Sequence, residues 1–196
     1  MADAVPGAVA RVVTCSAEDT EALGRRLATV LRAGDLLLLS GDLGAGKTTL
    51  ARGLGAGLGI RGPVTSPTFV IAREHPSIRG GPALVHVDDY RLGEVAELED
   101  LDLQTSLDAA VTVVEWGEGL AEGLAANRLE VRLQRPHGGV HGGEVGEVGD
   151  ADEAGGVAEV GEGPEQRSVQ LRGLGERWRG VDLAALLVFP TVVPSG

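Results

Sequence analysis

Gly41-Asp42-Leu43-Gly44-Ala45-Gly46-Lys47-Thr48 is the stretch on which the fold turns. Its spacing is G-x-x-x-x-G-K-[ST], a loop whose backbone amides wrap phosphate groups. Lys47 is the only lysine in the chain, and every other cationic side chain is arginine. A compact ammonium reaches between two phosphates where a planar guanidinium does not fit. With 31 Gly among 196 residues, chance has to be weighed. At this composition about 0.002 matches are expected over the whole chain, even without requiring a strand ahead of the loop and a helix behind it. The flanks are right as well. Asp35-Leu36-Leu37-Leu38-Leu39-Ser40 predicts a buried strand, and Thr48 to Leu58 predicts a helix with Leu50, Leu54 and Leu58 on one face. Strand, phosphate loop and helix in that order predict an α/β fold that binds a nucleoside triphosphate.

Working outward, Ala8 to Thr14 predicts a first strand. Ser16, with Asp19 three residues on, caps a helix expected to run to about Arg32, with Leu23, Leu27, Val30 and Leu31 inward. Thr68 to Glu74 and Ala83 to Asp88 predict two strands. The turn-rich joint Pro76-Ser77-Ile78-Arg79-Gly80-Gly81-Pro82 makes them a hairpin, so the sheet should be mixed. Glu94 to Asp108 predicts a helix. Ala109 to Val114, Leu129 to Leu133 and Ser168 to Leu171 predict further strands.

The 196 residues are expected to form a single domain, 1–196. Between Pro136 and Gln166 lie eight carboxylates and no Lys or Arg, set among Gly, Val and Ala. That composition buries too little apolar surface to order itself, so 137–166 is expected to be a disordered acidic Gly-rich insertion in a hairpin loop. Residues 191–196 are expected to fray. The net charge of −12 is carried largely by that insertion. The chain shows no basic footprint of a protein that grips nucleic acid alone. Its apolar runs are too short to span a membrane, and no signal peptide is legible at Met1-Ala2-Asp3-Ala4-Val5-Pro6. Cys15 is the only cysteine, which excludes an intrachain disulfide and suits a reducing cytoplasm.

Within the loop, backbone N–H groups and the start of the following helix make an anion cradle. Lys47 is expected to bridge the β- and γ-phosphates, and the Thr48 hydroxyl to ligate Mg²⁺. A magnesium site also needs a carboxylate at the end of a neighbouring strand. Asp88 ends Ala83-Leu84-Val85-His86-Val87, and Glu115 ends Val111-Thr112-Val113-Val114. Each acid follows an apolar run at once, which places it at the carboxyl edge where ligands bind in open α/β sheets. Thr65-Ser66-Pro67-Thr68 reads as a turn or as a switch element whose Thr68 hydroxyl senses the γ-phosphate or its metal. His86, Tyr90 and Trp116 read as packing residues, though His86 alternates with Asp88 and shares its face.

Taken together, Gly41 to Thr49, Ser66-Pro67-Thr68, His86-Val87-Asp88-Asp89-Tyr90-Arg91-Leu92 and Glu115-Trp116 closely resemble the TsaE (YjeE) family in order and spacing. The resemblance covers about Thr14 to Leu133 and resumes more weakly from Arg167 to Trp178. It implies a P-loop NTPase-like three-layer fold with a mixed, partly antiparallel central sheet. It implies a small cytoplasmic ATPase, weak alone, that uses ATP and Mg²⁺. In that family the protein supports formation of the threonylcarbamoyl group on the adenosine next to the anticodon of tRNAs. It acts on a complex of TsaD, the transferase, and TsaB, and meets tRNA only through those partners. Carried over, Leu43, Gly44, Ala45, Gly46, Lys47, Thr48 and Thr49 hold ATP. Thr48 and Glu115 bind or position Mg²⁺, Asp88 acts near the metal or the attacking water, Trp116 shapes the site, and Arg167 approaches the nucleotide. The acidic insertion and the stretch after Trp178 depart from the family pattern.

Three other readings compete. A regulatory GTPase needs an N-K-x-D element, which is impossible with Lys47 already used and Asn127 followed by Arg128. A small-molecule P-loop kinase needs an arginine-bearing lid, and no segment stands out as one. An ATP-dependent binding switch, with hydrolysis incidental, overlaps the family reading and would show slow intrinsic turnover with strong partner dependence.

Overall fold

The computed structural model describes residues 6–65, 72–88, 108–115, 125–135 and 166–187. In chain order these form β1 (Pro6–Thr14), α1 (Ala17–Leu27), β2 (Leu36–Ser40), α2 (Lys47–Leu58), β3 (Ala72–His75), β4 (Ala83–Asp88), β5 (Ala110–Glu115), β6 (Arg128–Gln134) and β7 (Arg167–Leu174). Short 3-10 turns follow at Glu176–Trp178 and Ala185–Leu187.

All seven strands join one sheet in the order β1-β7-β6-β2-β5-β4-β3. β2 runs parallel to both β5 and β6, and β4 runs parallel to β5. β3 pairs antiparallel with β4, and β7 antiparallel with both β6 and β1. The sheet is therefore mixed, as the hairpin signal predicts. The five-residue β2 is buried throughout, as a central strand flanked by β5 and β6. Leu37 and Leu39 enter the large core with α1 and α2, whereas Leu36 and Leu38 join Val85, Val87, Ala110 and Val114 on the opposite face. Nearly all of the predicted helix Glu94 to Asp108 lies outside the described residues. So do Thr68 to Ile71 of the predicted hairpin strand, residues 137–165 of the expected insertion 137–166, and the terminus 191–196.

The two described helices approach closely because glycines line their contact. A Cβ on Gly53 would stand 2.1 Å from the Glu21 carbonyl oxygen, and one on Gly24 would stand 2.4 Å from that of Leu50. Both obstacles are backbone, which cannot turn aside. Gly53→Ala is thus expected to force α1 off α2 and destabilise the protein by about 3 kcal/mol, despite alanine's better helix propensity. A urea midpoint equal to that of the parent would contradict the close-contact account.

Helix α1 begins as predicted. The Ser16 hydroxyl accepts from the Asp19 amide at 3.0 Å, and the Asp19 carboxylate accepts from the Cys15 amide at 3.0 Å. It ends at Leu27, short of the predicted Arg32, and the backbone tightens into i−3 bonds such as Thr29 N–H to Arg26 O and Val30 N–H to Leu27 O. The segment that follows is tied to residues far away in sequence. Arg177 donates to the Val30 carbonyl at 2.6 Å and forks onto both oxygens of Asp35 at 2.8 Å. Its guanidinium also sits 4.6 Å from the centre of the buried Trp178 ring. This clamp fastens the chain after β7 to the loop that enters β2. Asp35 is 2 % exposed, so Arg177→Ala leaves a buried carboxylate without its cation and is expected to cost about 3 kcal/mol. Chemical denaturation checks this, and Arg177→Lys should restore only part, since an ammonium cannot make the fork.

Candidate functional site

The loop between β2 and α2 leaves the carboxyl end of the central strand and turns directly into a helix N-terminus. Gly46 makes that turn at φ +104°, in the left-handed region that glycine tolerates. The loop is pinned from within: the Ala45 amide bonds to the Asp42 carbonyl at 3.0 Å, and Ala45 is buried. Leu43 sits at the tip, 81 % exposed, while Thr49 follows within the first turn of α2.

Lys47 folds back over its own loop. Its Nζ donates to the carbonyl oxygens of Gly41 at 2.7 Å and Asp42 at 3.0 Å. The side chain is 4 % exposed. Burial lowers its pKa from the ordinary lysine value, while the carboxylates of Glu115, Asp88 and Asp42 pull the other way. A cation is therefore held among carbonyl dipoles and acids at the mouth of a phosphate-type loop.

The strand order brings the remaining groups together. Parallel β2, β5 and β4 are neighbours, so their carboxyl ends share one edge, and Asp88 and Glu115 are register partners there. The Thr48 hydroxyl donates to Glu115, 3.1 Å from Oε1 and 3.2 Å from Oε2. His86 Nε2 lies 2.9 Å from the same Oε1. Glu115 and His86 are both buried, and His86 Nδ1 finds no hydrogen-bond partner among the described residues. The reading of His86 as either packing or site is resolved in part: it packs at 0 % exposure and it touches Glu115.

Two arginines complete the edge. Arg167, buried at the start of β7, lies against the loop: a Cβ on Gly46 would meet its Cδ at 3.4 Å and its Nε at 3.6 Å. Arg135 follows β6, and its guanidinium would lie 3.2 Å from a Cβ on Gly44. Sequence reasoning did not single out Arg135. The available signal was its place one residue beyond an alternating strand, but its bearing on the loop depends on β6 running parallel to β2. Thr68, Tyr90 and Trp116 lie outside the described residues.

The arrangement thus combines an amide-lined loop, a helix N-terminus, one ammonium, two guanidinium groups and a hydroxyl held by a buried carboxylate. Thr48 and Glu115 are hard oxygen donors of the kind magnesium takes. Among the described residues no group of three or more His, Cys, Asp or Glu side chains could hold a metal. An ion here would draw its other ligands from phosphate and water, the usual habit of magnesium.

Comparisons with known proteins give the family and the fold. The family model described as "Threonylcarbamoyl adenosine biosynthesis protein TsaE" matches residues 14–140. A tRNA threonylcarbamoyladenosine biosynthesis protein TsaE from Streptomyces coelicolor is 56% identical over 166 residues, spanning 84% of this chain and 97% of the relative. The Bacillus subtilis protein of the same name is 41% identical over 123 residues, 62% of this chain and 75% of the relative. The crystal structure of Bacillus subtilis YdiB superposes with a TM-score of 0.59 at 27% identity, covering 88% of this chain and 90% of YdiB. The fold is accordingly P-loop NTPase-like, and the chain belongs to the TsaE family.

Proposed function

We propose that this chain is an ATP-binding, Mg²⁺-dependent ATPase that supports formation of the threonylcarbamoyl group on the adenosine beside the anticodon of tRNAs. The family supplies the pathway, since its model and relatives carry threonylcarbamoyladenosine biosynthesis in their names. The observation that carries the ATPase reading is the Thr48–Glu115 contact beneath the phosphate loop, where a hydroxyl and a buried acid from different elements meet.

On this reading the amides of Gly44 to Thr48 and the start of α2 receive the β-phosphate. Lys47 exchanges its two carbonyl acceptors for phosphate oxygens. Thr48 and Glu115 hold Mg²⁺, which would neutralise charge developing on the phosphates. Asp88, beside Glu115 on the neighbouring strand, orients the attacking water or the metal's own water. His86 fixes the Glu115 carboxylate. Arg167 and Arg135 face the phosphates and add positive charge where negative charge builds. Thr68 senses the γ-phosphate. The protein works in the cytoplasm on the TsaB–TsaD complex, and tRNA reaches it through those partners. Among the described residues no helix is long and apolar enough to cross a membrane.

ATP hydrolysis measured for the chain alone, then with TsaB–TsaD and tRNA, tests the reading. Stimulation of about tenfold or more by the partners is expected. Hydrolysis indifferent to them would detach the ATPase from this pathway and favour a small-molecule kinase.

A further inference from the structure

The face of β1, β7 and β6 turned away from α1 and α2 gathers arginines that are far apart in sequence. Arg11, Gln170, Arg132 and Ser40 are successive register partners across β1, β7, β6 and β2. One step along, Val9 is paired with Arg172 and Arg172 with Glu130. Ser40, Arg128, Glu130, Arg132, Gln170 and Arg172 line a groove of about 460 Å³. Glu130 is the one acid in that lining; Arg128 bonds to it at 3.0 Å, and Arg172 lies 3.7 Å from its other oxygen. Arg11 and Arg132 are exposed and have no carboxylate partner among the described residues. Val9 and Val13, about half exposed, flank Arg11 on the same face of β1. A cationic and partly apolar face on a chain of net charge −12 invites an acidic occupant that carries small apolar residues.

The sequence contains one, and the strands of this face carry its two ends. β6 stops at Gln134 and β7 starts at Arg167. The chain between them holds eight carboxylates, no Lys or Arg after Arg135, and Glu-Val repeats such as Glu144-Val145-Gly146-Glu147-Val148. About thirty residues can reach roughly 100 Å when extended, several times the length of a seven-residue strand. Attachment at both ends keeps their local concentration on the order of millimolar. We propose that the arginine face is the docking surface for the chain's own acidic stretch, residues 137–165, whose carboxylates pair with Arg11, Arg132 and Arg172. The contact is made of several exposed ion pairs, each weak and screened by salt. It stands independently of the ATPase reading.

The test is arginine labelling of the intact protein with phenylglyoxal, read peptide by peptide by mass spectrometry. Arg61 and Arg79 are exposed and belong to neither this face nor its strands, so they serve as references. Deleting residues 138–164 is expected to raise labelling of Arg11, Arg132 and Arg172 about threefold, and salt near 0.5 M should do the same to the intact chain. Arg61 and Arg79 should not change. A general effect of lost negative charge would move all five together and overturn the proposal. Should the deletion impair folding, a full-length variant with the eight carboxylates changed to amides gives the same reading. Equal labelling of the face with and without the acidic stretch would overturn the proposal. So would protection that appears only on adding tRNA or a second protein, which would assign the face to that partner.

Discussion

Replacing Lys47 with alanine is expected to weaken ATP binding by about 100-fold and to abolish measurable hydrolysis. Lys47 is 4 % exposed, and its ammonium meets two backbone carbonyls within 3.0 Å. Charge in so dry a place acts through a low effective dielectric, so each phosphate oxygen it meets is stabilised more than it would be in water. Alanine removes that charge and leaves the loop carbonyls pointing inward, where they repel the anion. Lys47→Arg should fare little better, because a planar fork on a longer stem cannot occupy the same point between phosphates. The fold should persist in both variants, since Lys47 opens α2 and alanine favours a helix. Calorimetric titration with ATP beside a far-ultraviolet spectrum checks both halves. Parent-like affinity in a folded Lys47→Ala protein would remove the role assigned to this side chain.

Glu115→Ala is expected to lower Mg²⁺-dependent hydrolysis about 100-fold and to shift its magnesium dependence to higher concentration. This substitution has two consequences that must be separated. Glu115 accepts from the Thr48 hydroxyl and lies within hydrogen-bond distance of buried His86, so alanine leaves both without a partner. That loss should cost about 2 kcal/mol of stability. Glu115→Gln keeps the volume and one carbonyl acceptor while removing the charge. If hydrolysis falls in both variants but the urea midpoint falls only in Glu115→Ala, the carboxylate acts through its charge. Hydrolysis with an unaltered magnesium curve in either variant would contradict a role at the metal.

Much of this site is legible in the amino-acid sequence, and the reason is local chemistry. The phosphate loop announces itself through glycines whose spacing few other turns require. Asp88 and Glu115 are legible because an acid that ends an apolar run must lie at a strand's carboxyl edge. Their meeting is not legible, because nothing in either run reveals that β5 lies between β2 and β4. Arg135 escapes for the same reason. The early end of α1 escapes because the apolar periodicity of Leu27, Val30 and Leu31 continues past it into the i−3 bonded turns that follow. The arginine face is the extreme case: Arg11, Arg132 and Arg172 become neighbours only through strand order and register.

Lys47 has one further consequence, which follows from its solitude. It is the only side-chain amine in the protein, and it is almost closed to solvent at the phosphate loop. An amine-directed acylating reagent therefore has one side-chain amine to meet, which lies where the nucleotide is proposed to sit. The fraction of protein acylated at that position becomes an occupancy gauge that needs no tag and no engineered reporter. Acylation waits on Lys47 leaving its two loop carbonyls, and a bound phosphate would slow it further, so the slowing reads the filled loop.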